Sequence, residues 1–274
     1  MDGPLGGDKH LTMFENNFLA ALKHFASASH GRVHTTATAS FVSCPLPFDG
    51  PLFNAVLPTV ETPGSIVLNE AREFFSGRRR PYHVWTCVGR DTDLEEAALS
   101  AGFVRNGAGE GPAMVLSRSV EPLKPPEGVG IVQVHDSKKS YEFGLVAASA
   151  FALGAKRDVA EAFSKYSWIL TSPTSFAFVA VRDGRSVACS LLLRTGHVAG
   201  LYFVGTTPTF RRQGLGTLLS AYAVYAGFSS GVDVVFLQSS LQAVSLYQSL
   251  GFSEFAYFRC FSSISREGLV GPCG

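Results

Sequence analysis

The sequence predicts an α/β (α+β) protein of two units in which helices and strands alternate, and three observations predict it. Segments with the apolar spacing of helices alternate along the chain with short runs rich in β-branched and aromatic residues. A proline-rich stretch, "SVEPLKPPEG" from Ser119 to Gly128, starts no periodic pattern and divides the chain. The string "LSAGF" (Leu99 to Phe103) returns as "QSLGF" (Gln248 to Phe252), 149 residues later when Gly102 is set on Gly251. The expected units are residues 1–120 and 128–274.

In the first unit Leu11, Phe14, Phe18, Leu22 and Phe25 recur at steps of three and four, which places them on one face of a helix from Leu11 to Ala28. "TATASFVSC" and "LFNAVL" read as strands on either side of the turn-rich "PLPFDGP". A helix from about Ser65 to Phe75, a strand "YHVWTCV", a helix "DLEEAALSAG" and a strand "AMVLS" complete it.

The second unit opens with a strand "GIVQV" and two helical stretches, around Tyr141 to Leu153 and Val159 to Leu170. Strand "SFAFVAVR" turns at "DGR" into "SVACSLLLRT", which turns at "GH" into "VAGLYFVGT"; each junction carries the glycine that tight hairpins favour. A loop of arginine and glycine follows, then a helix to about Phe228, strand "VDVVFLQ", helix "LQAVSLYQSLG" and strand "EFAYFRCF".

The 274 residues are enough for two domains, each with its own core. With 46% hydrophobic and 16% charged residues the chain is globular, not disordered, and a formal net charge of +1 creates no field that would attract nucleic acid. Cys44, Cys87, Cys189, Cys260 and Cys273 lack CxxC spacing, which argues against a zinc site or a disulfide framework and for a reducing compartment. Four of them read as small core residues or inert thiols. No run of about 18 apolar residues is present and "MDGPLGGDKH" has no signal-peptide pattern, so the expectation is a soluble, cytoplasmic protein without a membrane partner.

The stretch "PTFRRQGLGTLL", Pro208 to Leu219, concentrates the chemistry. Gly214 and Gly216 allow close backbone approach, and a helix beginning there points its unpaired N–H groups and positive dipole end outward. That is a place for an anion, best a pyrophosphate, with Arg211 and Arg212 adding charge-assisted hydrogen bonds. The glycines fit neither GxGxxG nor GxxxxGK[ST], which disfavours a Rossmann site or an ATP-type loop.

"VGTTPTFRRQGLGT" also resembles the acyl-CoA loop of the GNAT superfamily of N-acetyltransferases, [R/Q]xxGx[G/A] after a strand and a proline, with Pro208, Arg211, Gly214 and Gly216 in those places. The superfamily's second signature, AxxxYxxxGF in the next helix, is matched by Ala243, Tyr247, Gly251 and Phe252. The resemblance covers about Gly128 to Ser263. It implies two mixed-sheet units flanked by helices, the second with fourth and fifth strands that splay apart to admit the pantetheine arm of acetyl-CoA, bound as co-substrate with no metal. Arg211, Arg212, Gln213, Gly214, Leu215, Gly216 and Thr217 would then form the pyrophosphate loop. Val204, Gly205 and Thr206 would offer backbone N–H groups to the pantetheine arm, and Ser240 and Ala243 would make further cofactor contacts. Tyr247 would protonate the departing thiolate; an aromatic at this helical spacing is also compatible with core packing.

Two departures from the family pattern matter. Ser240 stands where members often carry an asparagine, and its shorter hydroxyl still hydrogen-bonds. No glutamate precedes the loop, since "GLYFVGT" has no ionisable group except Tyr202, so the general base is not identified. His135 and His197 are the histidines of this unit, and His197 falls in a hairpin turn. The run "RRRP", Arg78 to Pro81, reads as a solvated loop.

Under the 149-residue offset the first unit looks like a decayed copy of the second. Tyr247 falls on Ala98, and the arginine-glycine loop falls on "VETPGSI", where Gly64 remains without an arginine. Its expected role is to pack on the second unit and shape the acceptor pocket. The leading expectation is acyl transfer from acetyl-CoA to an amine of a small molecule or peptide. It stands ahead of acyl-CoA binding or sensing without chemistry, because a mere binder needs no proton donor at the sulfur. A structural protein with a vestigial loop is disfavoured by the presence of both Arg211 and Arg212. The acceptor's identity and the oligomeric state are open at this level.

Overall fold

The computed structural model describes residues 4–59, 62–77 and 81–263. The first half contains α1 (Pro4–Ala28), β1 (Arg32–Thr35), β2 (Ala39–Ser43), β3 (Asn54–Pro58), α2 (Gly64–Phe74), β4 (His83–Cys87), α3 (Thr92–Ser100), β5 (Val104–Arg105) and β6 (Gly111–Leu116). Residues 117–128 form neither helix nor strand. Then come β7 (Val129–Gln133), α4 (Ser137–Phe151), α5 (Lys156–Lys165), α6 (Trp168–Thr171), β8 (Ser175–Arg182), β9 (Arg185–Thr195), β10 (Val198–Thr206), α7 (Leu215–Ser229), β11 (Val234–Gln238), α8 (Val244–Ser249) and β12 (Ser253–Ser262).

These elements follow the sequence pattern closely, with instructive exceptions. β1 carries no buried face, because all four of its residues are exposed. Alternating hydrophobicity therefore cannot reveal it, and its pairing with β2 creates it. The stretch 241–251 is one short 3₁₀ turn at Leu241–Ala243 followed by α8, and the stretch 159–170 is divided between α5 and α6. Arg78, Arg79, Arg80 and Cys273 lie outside the described residues; Cys44, Cys87, Cys189 and Cys260 are buried free thiols.

All twelve strands join one mixed sheet, in the order β1-β2-β3-β4-β12-β6-β11-β10-β9-β8-β7 with β5 paired to β12. At its centre the halves exchange strands. β12, late in the chain, runs antiparallel between β4 and β6, with Cys260 opposite Trp85 and Phe258 opposite Gly111. β6, from the first half, lies between β12 and β11, with Phe236 opposite Val115. Each half thus supplies a strand that the other half's ladder requires. The sheet is covered on one side by α1, α4 and α5, whose Phe14, Phe18, Phe25, Phe143 and Phe163 are all buried, and on the other by α7 and α8 in the second half and by α2 and α3 in the first. Core side chains of this size contribute about 1.5–3 kcal/mol each when fully buried.

Candidate active site

The site is built where β10 parts from β11. The two strands are parallel and paired at Val198/Val234, Ala199/Val235 and Gly200/Phe236, where their ladder ends. On its other edge β10 stays paired with β9 as far as Thr206/Ala188. From Leu201 to Thr206, β10 therefore has no β11 partner, and its backbone polar groups on that edge are left without a ladder. A bulge interrupts the β9 register between Tyr202 and Gly205, and Phe203 takes φ 51, a left-handed conformation seldom held by an aromatic residue. The Cys189 thiol donates to the Phe203 carbonyl at 3.2 Å and so anchors the bulge from β9.

Beyond the bulge, Val204 and Thr206 are half-buried and Gly205 is buried. A Cβ on Gly205 would approach Ala150 Cβ and the Phe151 ring at 2.8 Å, so glycine is required for the end of α4 to pack on the strand. The loop then makes a 3₁₀ turn at Pro208–Phe210. Arg212 (φ 64) and Gly214 (φ 76) are both left-handed, and α7 starts at Leu215 without a side-chain cap. Leu218 N–H makes the helical bond to the Gly214 carbonyl, so the N–H groups of Leu215, Gly216 and Thr217 belong to the unpaired first turn. This arrangement of left-handed residues and free N–H groups is an anion cradle.

Side chains brace the cradle. Arg211 donates from Nε to the Thr206 carbonyl at 3.3 Å and from its terminal nitrogen to the Ala150 carbonyl at 3.1 Å, tying the loop to β10 and to the end of α4. Arg182 on β8 donates to Gln213 Oε1 at 2.8 Å. Gly216 lies beneath α8, where a Cβ would meet Leu246 at 3.0 Å. Ser240 and Ala243 flank the 3₁₀ turn that leads into α8, and both are half-buried.

Tyr247 projects from α8 into the layer under α7. It is 7% exposed, and its ring meets Phe252 edge-on at 5.8 Å. Burial raises its phenol pKa above the ordinary value, so the hydroxyl keeps its proton across the physiological range.

Residues 144–252 match the acetyltransferase (GNAT) family. The second half carries a GNAT domain. Three solved structures extend the likeness to most of the chain. A GCN5-related N-acetyltransferase from Kribbella flavida is 18% identical, with 90% of this chain and 95% of that one covered and a TM-score of 0.67. A GCN5-related N-acetyltransferase from Sphaerobacter thermophilus is 15% identical over 92% and 93%, at a TM-score of 0.58. A tandem GNAT protein from the clavulanic acid biosynthesis pathway is 15% identical over 86% and 80%, at 0.56. At these identities the likeness is one of fold. A comparison with curated protein sequences finds no match.

On the sheet face opposite α7, the first half supplies residues to the GNAT domain that sequence spacing does not reveal. Tyr202 donates to Asn17 Oδ1 on α1 at 3.0 Å, and Asn17 Nδ2 donates to Thr195 Oγ1 at 3.2 Å; Asn17 is 2% exposed. A Cβ on Gly200 would collide with Asn17 Oδ1 and the Tyr202 hydroxyl, which explains the glycine at the last ladder pair. His10, also on α1, meets Phe236 and Phe255 edge-on at 6.0 and 5.8 Å. Neither histidine of the GNAT half lies at the splay. His197 is exposed beside Gly231 and Asp233 at the opposite end of β10, and His135 is exposed ahead of α4.

The matching place in the first half is filled. β3 and β4 are parallel and paired at Ala55/His83 and Val56/Val84. At the start of α2, however, the Gly64 N–H donates to the Asp93 carboxylate of α3. A Cβ on Gly64 would come within 2.6 Å of Leu94 Cα, so α3 is seated directly on that helix end. An internal carboxylate thus occupies the position where, at α7, the N–H groups stay open. Among the described residues no cluster of His, Cys, Asp and Glu suited to a metal occurs, and no helix is long and apolar enough to cross a membrane.

Proposed function

We propose that the GNAT domain transfers the acetyl group of acetyl-CoA to an amine of a small molecule or peptide. The observation that carries this reading is the coincidence, at one edge, of the unpaired β10 segment 201–206 and the uncapped start of α7. The first offers N–H and carbonyl groups to the amides of a pantetheine arm, as a missing strand would. The second offers the N–H groups of Leu215, Gly216 and Thr217 to a pyrophosphate, and Arg212, exposed on the loop, adds charge.

In the reaction the amine nitrogen attacks the thioester carbonyl carbon, the C–S bond breaks, and the sulfur takes a proton. Tyr247, held neutral by burial, is the donor, and the proton released by the amine restores it through water. A backbone N–H at the bulge, held in place by the Cys189 bond to Phe203, polarises the carbonyl. The first half, joined to β10 through the Tyr202–Asn17 hydrogen bond, shapes the acceptor side of the site. We further infer a tandem arrangement in which residues 1–120 descend from a second such unit, with Asp93 standing in for the anion it no longer binds.

The test is release of free thiol from acetyl-CoA over a broad panel of amines. An amine that releases coenzyme A in proportion to the acetylated product supports the reading. Tight acetyl-CoA binding with no release by any amine would instead make the protein an acyl-CoA sensor.

A further inference from the structure

A concavity of about 790 Å³ lies away from the splay, between α5 and the β1–β3 end of the sheet. Its volume is within the range of small-molecule sites. One wall is a face of α5, where Asp158, Glu161, Ala162, Lys165 and Tyr166 follow the i, i+3, i+4, i+7, i+8 spacing that aligns side chains on a helix. The other wall runs from His30 and Arg32 to the loop at Pro45, Leu46 and Pro47.

Asn54 lines this groove and is 4% exposed. Its Oδ1 accepts from Ser43 Oγ at 2.8 Å, and among the described residues its amide nitrogen has no acceptor. The Asn54 amide nitrogen is not cut off from solvent, so its open donors reach the groove and are available to a ligand. The groove's charge is also divided. The His30 ring lies edge-on to Tyr166 at 6.0 Å, which places the Lys165 end of α5 beside Arg32 and Asn54. Phe48 stacks on Phe163 at 5.9 Å, and a Cβ on Gly154 would lie 3.6 Å from it, so the proline loop follows the earlier part of α5 with Asp158 and Glu161. Among the described residues neither Lys165 nor Asp158 forms an ion pair; Glu161 is paired with Arg157 at 2.7 Å.

One end of the groove therefore presents donors and the positive charge of Lys165 and Arg32, which lie over the Tyr166 and Phe74 rings, and the other the Asp158 carboxylate, with the apolar Pro45, Leu46 and Pro47 between. Asp158 and Lys165 are seven positions apart, about 10 Å along the helix axis. An extended chain of two or three residues spans about 7–11 Å. We propose that this groove binds a short zwitterionic peptide, its carboxylate at Asn54, Lys165 and Arg32 and its ammonium at Asp158. The inference does not depend on acetyl transfer, and neither Asp158 nor Lys165 belongs to the acyl-CoA site.

Calorimetric titration of the full chain with L-alanyl-L-leucine and with tri-L-alanine tests it, using the N-acetylated and C-amidated forms as controls. Saturable binding at one site is expected for a free peptide, weakened about tenfold or more by blocking either end. K165E should lose the preference for a free carboxylate and D158K the preference for a free ammonium, while acetyl-CoA binding is retained in both. N54L should weaken all free peptides; the two exposed helix variants carry the test if N54L does not fold. Absence of saturable binding by both free peptides, indifference to blocked ends, or unchanged affinity in both helix variants would overturn the proposal.

Discussion

Ala98 and Tyr247 occupy the same place in two copies of one helix ending. The Ala98 carbonyl accepts the N–H of Phe103 at 3.0 Å, and the Tyr247 carbonyl accepts the N–H of Phe252 at 3.1 Å. Between them Gly102 (φ 84) and Gly251 (φ 94) are both left-handed, as this closing of a helix requires. Backbone geometry is the same in both, and the side chain differs: a methyl in the first half, a buried phenol in the second.

Tyr247→Phe keeps the ring and its contact with Phe252 but removes the proton. Affinity for acetyl-CoA should hold while turnover falls by roughly 10² to 10⁴, the range of general acid catalysis. Ala98→Ser should alter neither. Steady-state kinetics beside calorimetry separates the two effects. Turnover within a few-fold of wild type in Tyr247→Phe would make the tyrosine a packing residue.

Gly214→Val places a β-branched side chain at φ 76, in open space but in a disfavoured conformation. It should distort the cradle and weaken acetyl-CoA binding while the core stays intact. Arg211→Ala should also weaken binding, by roughly 1.5–3 kcal/mol if the guanidinium reaches the phosphates. The same variant frees the loop from Thr206 and Ala150, so faster hydrogen exchange at 206–214 should accompany it.

Local pattern carries information about elements more readily than about their partners. "VAGLYFVGT" reads as a strand and "RRQGLG" as an anion loop because spacing and glycine placement are local properties. The position of β6 between β11 and β12 is invisible to such reading, since a short apolar strand states that it is buried but not beside what. The same holds for Asn17 on Tyr202 and Asp93 on Gly64, contacts made across 185 and 29 residues by groups with no motif of their own. In the sequence the proposed 149-residue repeat rests on three shared residues of one pentapeptide and on element order, because the two helix endings share turn geometry more than side chains.

Strand exchange predicts that the halves do not part. Full-length protein should melt in one cooperative transition, and a fragment of residues 128–274 should be insoluble, because β11 and β12 would each lose the β6 ladder. A soluble, folded 128–274 fragment detected by circular dichroism would contradict the exchange.

The seam should also be acid-sensitive. His83 on β4 lies opposite Ser262 on β12 and shares a 2.8 Å hydrogen bond with its hydroxyl, while Nε2 is buried without a partner among the described residues. Burial lowers its pKa to about 4. Between pH 4 and the unfolded value near 6.5 the unfolded chain binds the extra proton, so stability rises with pH across that window and is lost on acidification. The contribution is on the order of 3 kcal/mol. His83→Gln should flatten the dependence of the melting temperature on pH between 4 and 6.5.

Asp93→Ala should remove the internal anion at α2 and cost about 1 kcal/mol, the worth of a helix cap. Denaturant titration should show a lower midpoint with an unchanged slope. It should not create a second acyl-CoA site, because α3 remains seated on Gly64.

Calorimetric titration of the intact protein with acetyl-CoA tests whether one open helix start in the second half holds the acyl donor. One site per chain is expected, greatly weakened in Gly214→Val and unaffected by Ala98→Ser. Two sites per chain, or a single site indifferent to Gly214→Val, would contradict it.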